Sequence, residues 1–201
     1  MKLFFQYCTY GFSNCYILGA ENGDAIIIDP GGMDMNILKT IEKNDLNLLA
    51  ALVTHSHQTH INGLNTLLRI YNVDIIGMNQ VIADNKTKMI KDGDKINIGE
   101  FEIEAIAIPW HSSDSVVYLM ETMLFTGDVL TAGLVGKTSS SYSATAQMKK
   151  ILSRIISLPG DYLVFPGHGP PTTLEAERRF NNDIINFEIS RTKKPTFRIR
   201  G

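Results

Sequence analysis

Cysteine is nearly absent from this chain: Cys8 and Cys15 are the only two among 201 residues. That excludes a disulfide-built scaffold. Neighbouring strands can bring the pair together, but with no export signal in view the two thiols are expected to stay reduced. Long apolar runs are also missing. Leu3-Phe4-Phe5 stops at Gln6, too short for a signal-peptide core, and no segment approaches a membrane span. Charge imbalance is missing too. A net charge of -2 gives no electrostatic reason to expect nucleic acid or an anionic membrane as partner. The compartment expected from these absences is the cytoplasm. What is present is enough apolar residue, 44%, for a sizeable core, and the length suits one domain over residues 1–201.

Alternation, apolar runs and turn signals predict the elements in order. Residues 2–8 and 14–20 read as strands joined by a turn at Gly11, and 25–28 as a short buried strand ending in Asp29-Pro30-Gly31-Gly32. Helical spacing predicts a surface helix over 33–44 and a second helix over 60–71. Between them, 48–53 is a buried strand, and 73–78 is another. Paired strands follow over 96–98 and 101–108, then a hairpin of 115–120 and 123–125. A long amphipathic helix is predicted over 143–158, with Ser143 as N-cap and Pro159-Gly160 as the stop. Residues 162–165 read as a strand, and Thr172-x-x-Glu175 as a capping box opening a last helix. The order implies an α/β architecture with two sheets covered by helices. Arg191, Lys193, Lys194, Arg198 and Arg200 give residues 188–201 the composition of a solvated basic tail.

Histidine is scarce too, and its placement is not scattered. His55, His57 and His60 fall within six residues, directly after the apolar run Leu48–Val53. His111 and His168, the other two, each follow an apolar run beside Pro or Gly, and Asp128 ends another in Thr126-Gly127-Asp128. Loops at one edge of a sheet are where sites are built. In an extended segment residues i and i+2 point the same way, so His55 and His57 can share one metal. All five histidines read as metal ligands, with Asp128 as the carboxylate between two metal positions. Imidazole suits zinc and iron alike, so one or two zinc ions are expected, with iron as the alternative.

Ser13-Asn14-Cys15-Tyr16, Asp29-Pro30-Gly31-Gly32, Thr54–His60, Pro109-Trp110-His111, Thr126-Gly127-Asp128 and Pro166-Gly167-His168-Gly169-Pro170 occur in one order along the chain. In this the chain resembles the metallo-β-lactamase superfamily, and within it the small glyoxalase II-like hydrolases. The resemblance implies an αββα sandwich of two mixed β-sheets flanked by helices. It implies that His55, His57 and His111 hold a first metal, that His60 and His168 hold a second, and that Asp128 bridges them. The family pattern is Thr-His-x-His-x-Asp-His, and Thr59 stands at the position of its Asp. That carboxylate binds the second metal and helps orient the attacking water, so positions 59 and 128 are the two tied to catalysis. Asp114 is a conceivable substitute, with a solvated loop role as the plainer reading. Lys137, in Gly136-Lys137, matches the Gly-Lys whose Lys helps hold the glutathione part of a glyoxalase II substrate. Tyr142 is a weaker candidate for the same pocket.

The function expected is hydrolysis of a thioester or similar acyl compound by metal-activated water, on a small acyl or thiol-linked substrate. A mononuclear iron oxygenase resembling the persulfide dioxygenases is the alternative, with His55, His111 and Asp128 as a two-His-one-carboxylate set. A degenerate metal-binding member with little turnover is the third reading, because Thr59 removes a charge.

Overall fold

The structure, a computed structural model, describes residues 1–192. Strands β1 (Lys2–Cys8), β2 (Ser13–Gly19) and β3 (Asp24–Ile28) form an antiparallel meander. Helix α1 (Met35–Lys43) leads into β4 (Asn47–Leu52), which pairs parallel to β3. Helices α2 (Gln58–Ile61) and α3 (Leu64–Ile70) bring the chain to β5 (Asp74–Gly77), parallel to β4. A small hairpin of β6 (Val81–Ile82) and β7 (Asn85–Lys86) precedes β8 (Lys88–Met89), which completes a sheet in the order β1-β2-β3-β4-β5-β8.

The second half begins with β9 (Lys95–Ile98), β10 (Phe101–Ala107), β11 (Val116–Met120) and β12 (Met123–Gly127). A hairpin of β13 (Leu130–Thr131) and β14 (Leu134–Val135) leads to α4 (Ser141–Ile151), which runs on as a π-helical turn over Leu152–Ile156. Then come β15 (Leu163–Pro166), β16 (Thr172–Thr173), α5 (Leu174–Phe180) and α6 (Asn182–Thr192), and the second sheet has the order β16-β15-β12-β11-β10-β9.

Period-2 alternation divides each central strand between two cores. Tyr16, Leu18, Ile26, Ile28 and Leu52 face Phe101, Tyr118, Phe125 and Phe165 across the gap between the sheets. Cys15, Ile17, Ala25 and Ile27 face the other way, onto Ile37, Ile41, Leu64 and Leu67 of α1 and α3. On the far side Ile106, Val117, Leu124 and Val164 pack against Met148 and Ile151 of α4 and Leu174 of α5. The architecture is the αββα sandwich of two mixed sheets. Burial on both faces is why β2, β3 and β4 read as near-continuous apolar runs.

Several boundaries differ from the sequence expectation. The helix expected over 60–71 is two helices, because the Gly63 N–H leaves the ladder to bond the Pro30 carbonyl at 2.8 Å. Ser140, not Ser143, caps α4: its Oγ accepts from the Ser143 N–H at 3.1 Å. The last-helix cap is Thr173, which accepts from the Ala176 N–H. Thr172 instead donates to Glu177 Oε1 at 2.9 Å, and the Glu175 N–H goes to Asp161. Of the expected basic tail, residues 188–192 belong to α6, with Arg191 lying 6.0 Å over the Phe187 ring. Lys193, Lys194, Arg198 and Arg200 lie outside the described residues. Cys8 and Cys15 are buried free thiols.

Tyr118 makes one of the polar contacts that join the sheets through the core. The buried Tyr118 hydroxyl donates to the Val53 carbonyl at 2.9 Å and reaches the Ile76 carbonyl at 3.2 Å. Tyr118→Phe removes the donor to the Val53 carbonyl, while the Ile76 carbonyl keeps the Val53 N–H at 2.9 Å. A loss of about 1–2 kcal/mol in unfolding free energy is expected from urea titration, with the m-value unchanged.

Candidate metal centre

Two parallel pairs set the site. Pairing β3 with β4 brings Ile28 opposite Leu52, so Asp29 and Thr54 leave the sheet side by side. In the second sheet β12 pairs parallel with β15, with Gly127 opposite Pro166, so Asp128 and His168 emerge at the same edge. The segment after β10 brings His111 to them. Five separate stretches thus end at one edge of the sandwich.

The ligand atoms of His55, His57, His111 and Asp128 all lie within 4.8 Å of one another. His55 Nε2 is 2.9 Å from His57 Nδ1, and His111 Nε2 is 3.3 Å from that same nitrogen. Asp128 Oδ2 is 3.8 Å from His55 Nε2 and 3.7 Å from His111 Nε2. Ligands held at about 2.0–2.2 Å around a tetrahedral ion are about 3.3–3.6 Å apart. The four separations given, 2.9–3.8 Å, bracket those edge lengths. Burial, then the neighbouring His60, lowers the His55 pKa to about 2, which keeps it a neutral imidazole able to donate a lone pair.

A second group consists of His60, Asp128 and His168. His60 is fully buried. Its Nδ1 meets Asp29 Oδ2 at 2.9 Å, while its Nε2 has no hydrogen-bond partner and lies 3.4 Å from Asp128 Oδ2. Burial alone would lower the His60 pKa, but Asp29 and Asp128 outweigh it and raise it to about 10. An orphaned nitrogen in a field that favours positive charge is what a cation position offers. His168 is placed differently: Nδ1 is 2.7 Å from Asp128 Oδ1 and Nε2 is 3.1 Å from the Gly11 carbonyl. The residues present therefore fit a metal at the first group, and fit one at the second only in part.

Thr59 lies against the turn whose carbonyl meets His168. Gly11, at φ +71°, sits so close to Thr59 that an added Cβ would meet its methyl at 2.2 Å. The Thr59 carbonyl accepts from Ser13 Oγ at 2.5 Å. The β1–β2 turn thus packs on the side chain that replaces a carboxylate, and its own carbonyl holds His168. A second close approach is at Gly167, where a Cβ would stand 2.3 Å from the His60 ring and 2.7 Å from Asp128 Oδ1.

Supporting residues missed from the sequence are Asp29, Asn14 and Asp114 in its actual role. Asp29 Oδ1 accepts from the Thr54 N–H and Oδ2 from the Thr54 hydroxyl, at 2.8 and 2.6 Å, besides holding His60. Asn14 Nδ2 donates to the Pro166 and Gly169 carbonyls, clamping the His168 loop to β2. Asp114 is neither a ligand nor solvated. It is buried and accepts from the Ser56 N–H, the Ser56 and Ser112 hydroxyls and Asn79, so it shapes the histidine loop. Lys137 reaches the cluster through its backbone, whose carbonyl is 2.9 Å from His111 Nδ1. Its side chain is exposed. Tyr142 is not brought to the site: it is 81% exposed in the first turn of α4, and no hydrogen bond or ring contact joins it to the histidines among the described residues.

An αββα sandwich with a histidine–aspartate cluster at one edge defines a class of metal-binding proteins. The family model of the metallo-β-lactamase superfamily matches residues 8–84. An uncharacterised protein of Mycobacterium tuberculosis is 30% identical over 203 residues, spanning 84% of this chain and 91% of that protein. The hydroxyacylglutathione hydrolase GloC of Haemophilus influenzae is 27% identical over 199 residues, with the same coverages of 84% and 91%. Among solved structures, ETHE1 from Myxococcus xanthus superimposes with a TM-score of 0.82 at 23% identity, covering 97% of this chain and 93% of that one. The chain belongs to the metallo-β-lactamase superfamily.

Asp29→Asn tests the second group. An amide keeps one accepting oxygen, so it cannot serve the Thr54 N–H at one oxygen position and His60 at the other, and the His60 ring is held less firmly. Metal affinity at that position is expected to fall about 10–100-fold, read by competition with a chromophoric chelator, while the His55 group keeps its affinity.

Proposed function

We propose that this chain is a metal-dependent hydrolase of a thioester or similar activated acyl compound. The observation that carries the reading is the convergence of the ligand atoms of His55, His57, His111 and Asp128 within 4.8 Å of one another, with His55 buried and His57 exposed. The hydroxyacylglutathione hydrolase relative supports it. A bound zinc or iron ion supplies Lewis acidity and brings the pKa of water toward about 7, so hydroxide is available near neutral pH. The residues of the chain do the rest. His55 and His57, on one short extended segment, and His111, steadied by the Lys137 carbonyl, hold three donors in place. Asp128 sits between the two groups, and His168 bonds its Oδ1, leaving Oδ2 turned toward His55, His60 and His111. From there it accepts a proton-bearing partner and fixes the direction of attack. Lys137, exposed beside His111, is the cation for an anionic part of the substrate. No serine or cysteine nucleophile is called for.

The mononuclear reading is favoured by one observation, the neutral Thr59 packed under Gly11. In that reading His55, His111 and Asp128 serve a single iron. Metal content separates the two. Thr59→Asp adds one carboxylate to the second group. Metal content is expected to rise toward two per chain in excess zinc, and kcat on a hydrolysed thioester to rise with it, since an oriented nucleophile gains about 100-fold for each ångström of misplacement removed. Inductively coupled plasma analysis and thioester kinetics on both proteins check this. Suppressed activity with one iron retained supports the mononuclear chemistry. No change in metal content or rate means that position 59 does not face the metals.

A further inference from the structure

The Lys137 carbonyl that accepts from His111 Nδ1 at 2.9 Å decides more than the angle of the ring. A carbonyl can only accept, so the bond places the ring proton on Nδ1 and leaves the Nε2 lone pair free. Nε2 is the atom that lies 3.3 Å from His57 Nδ1 and 3.7 Å from Asp128 Oδ2, inside the first group. The third imidazole donor therefore depends on where that carbonyl points.

The peptide before it sets that direction. Gly136 is wedged between two of the ligands: an added Cβ would collide with the Asp128 carbonyl oxygen and stand 3.4 Å from His111 Nδ1. Its N–H bonds the Val129 carbonyl at 3.0 Å. Glycine brings no side chain to restrict its ψ, so the orientation of the next peptide has to come from outside. Gln147 of α4 supplies it. Its Nε2 donates to the Gly136 carbonyl at 2.6 Å, and because that carbonyl only accepts, the amide can face it one way round.

Gln147 is fully buried beside Met148 and Ile151, which pack into the core, and its Oε1 has no hydrogen-bond partner. A buried acceptor left open costs stability, and an apolar side chain of similar volume carries no such cost. The amide is thus an unfavourable choice for the fold, and its one bond goes to the peptide behind a metal ligand. Trading stability in this way is what functional positions do.

We propose that Gln147 is a positioning residue of the first metal group: it orients the Gly136–Lys137 peptide, and so keeps His111 in the Nδ1–H tautomer with Nε2 turned to the metal. The proposal rests on the metal reading of that group and not on the hydrolase reading.

Gln147→Met keeps the length of the side chain and removes both polar atoms. The first readout is the metal-free, ¹⁵N-labelled full chain at about pH 8.5, well above the ordinary histidine value of about 6.5. Long-range ¹H–¹⁵N correlation spectra are expected to show His111 as the Nδ1–H tautomer in the unaltered chain and as a mixture of tautomers in Gln147→Met. Zinc affinity at the first group, read by chelator competition, is expected to fall about 10-fold in the variant, the low end for a partner behind a ligand. The urea midpoint of the metal-free variant is expected to be no lower than that of the unaltered chain. A merely structural role gives the reverse, a lowered midpoint with tautomer and affinity unchanged, and that result overturns the proposal. So does a His111 proton on Nε2 in the unaltered chain, which needs no variant. If Gln147→Met and Gln147→Leu both fail to fold, the residue is structural and the proposal falls. Absence of zinc uptake by the unaltered chain is the separate result that overturns the metal reading itself, and the proposal with it.

Discussion

The structure depends on one carboxylate held among four imidazoles. Asp128 lies 2.7 Å from His168, 3.4 Å from His60, 3.7 Å from His111 and 3.8 Å from His55. Desolvation alone would push its pKa up, yet the His168 and His60 rings hold it well below the usual carboxylate range. So many basic nitrogens around a mostly buried acid give the edge the donor set that a cation calls for. The parallel pairs β3–β4 and β12–β15 carry four of the stretches to the same end, Gly167 lets His60 and Asp128 approach, and Asp29 sets the His60 ring from behind.

The two groups are built with unequal rigour. Around His55 every ring has an oriented neighbour, and the donors stand 2.9–3.8 Å apart along the contacts given. Around His60 one donor is in place, one is shared, and the third has turned its Nε2 to a backbone carbonyl. The β1–β2 turn packs closely on the Thr59 methyl at Gly11, and the carbonyl of that same Gly11 meets His168.

Much of this was legible from residues alone, for identifiable reasons. Strands β2, β3 and β4 announce themselves because burial on both faces leaves no room for polar alternation. His55 and His57 are readable as partners because their spacing is local. The break between α2 and α3 was not legible, since it comes from a bond to Pro30, remote in sequence. Asp114 looks like an ordinary loop acid until Ser56, Asn79 and Ser112 are seen around it. Lys137 was readable as a position near the site, but not as a backbone support for His111. Gln147 gave no signal at all: a glutamine amid Ala146 and Met148 in a polar helix reads as solvent-facing, and only the packed fold buries it.

The central claim is that the first group is a metal centre built from His55, His57, His111 and Asp128. X-ray absorption at the metal edge, on the full chain purified without chelator, tests it most directly. The account predicts stoichiometric zinc or iron with a nitrogen and oxygen shell at about 2.0–2.2 Å and outer-shell scattering from about three imidazoles, which diminishes in His57→Ala. Stoichiometric metal lacking imidazole scattering, or a spectrum unchanged by His57→Ala, would contradict it.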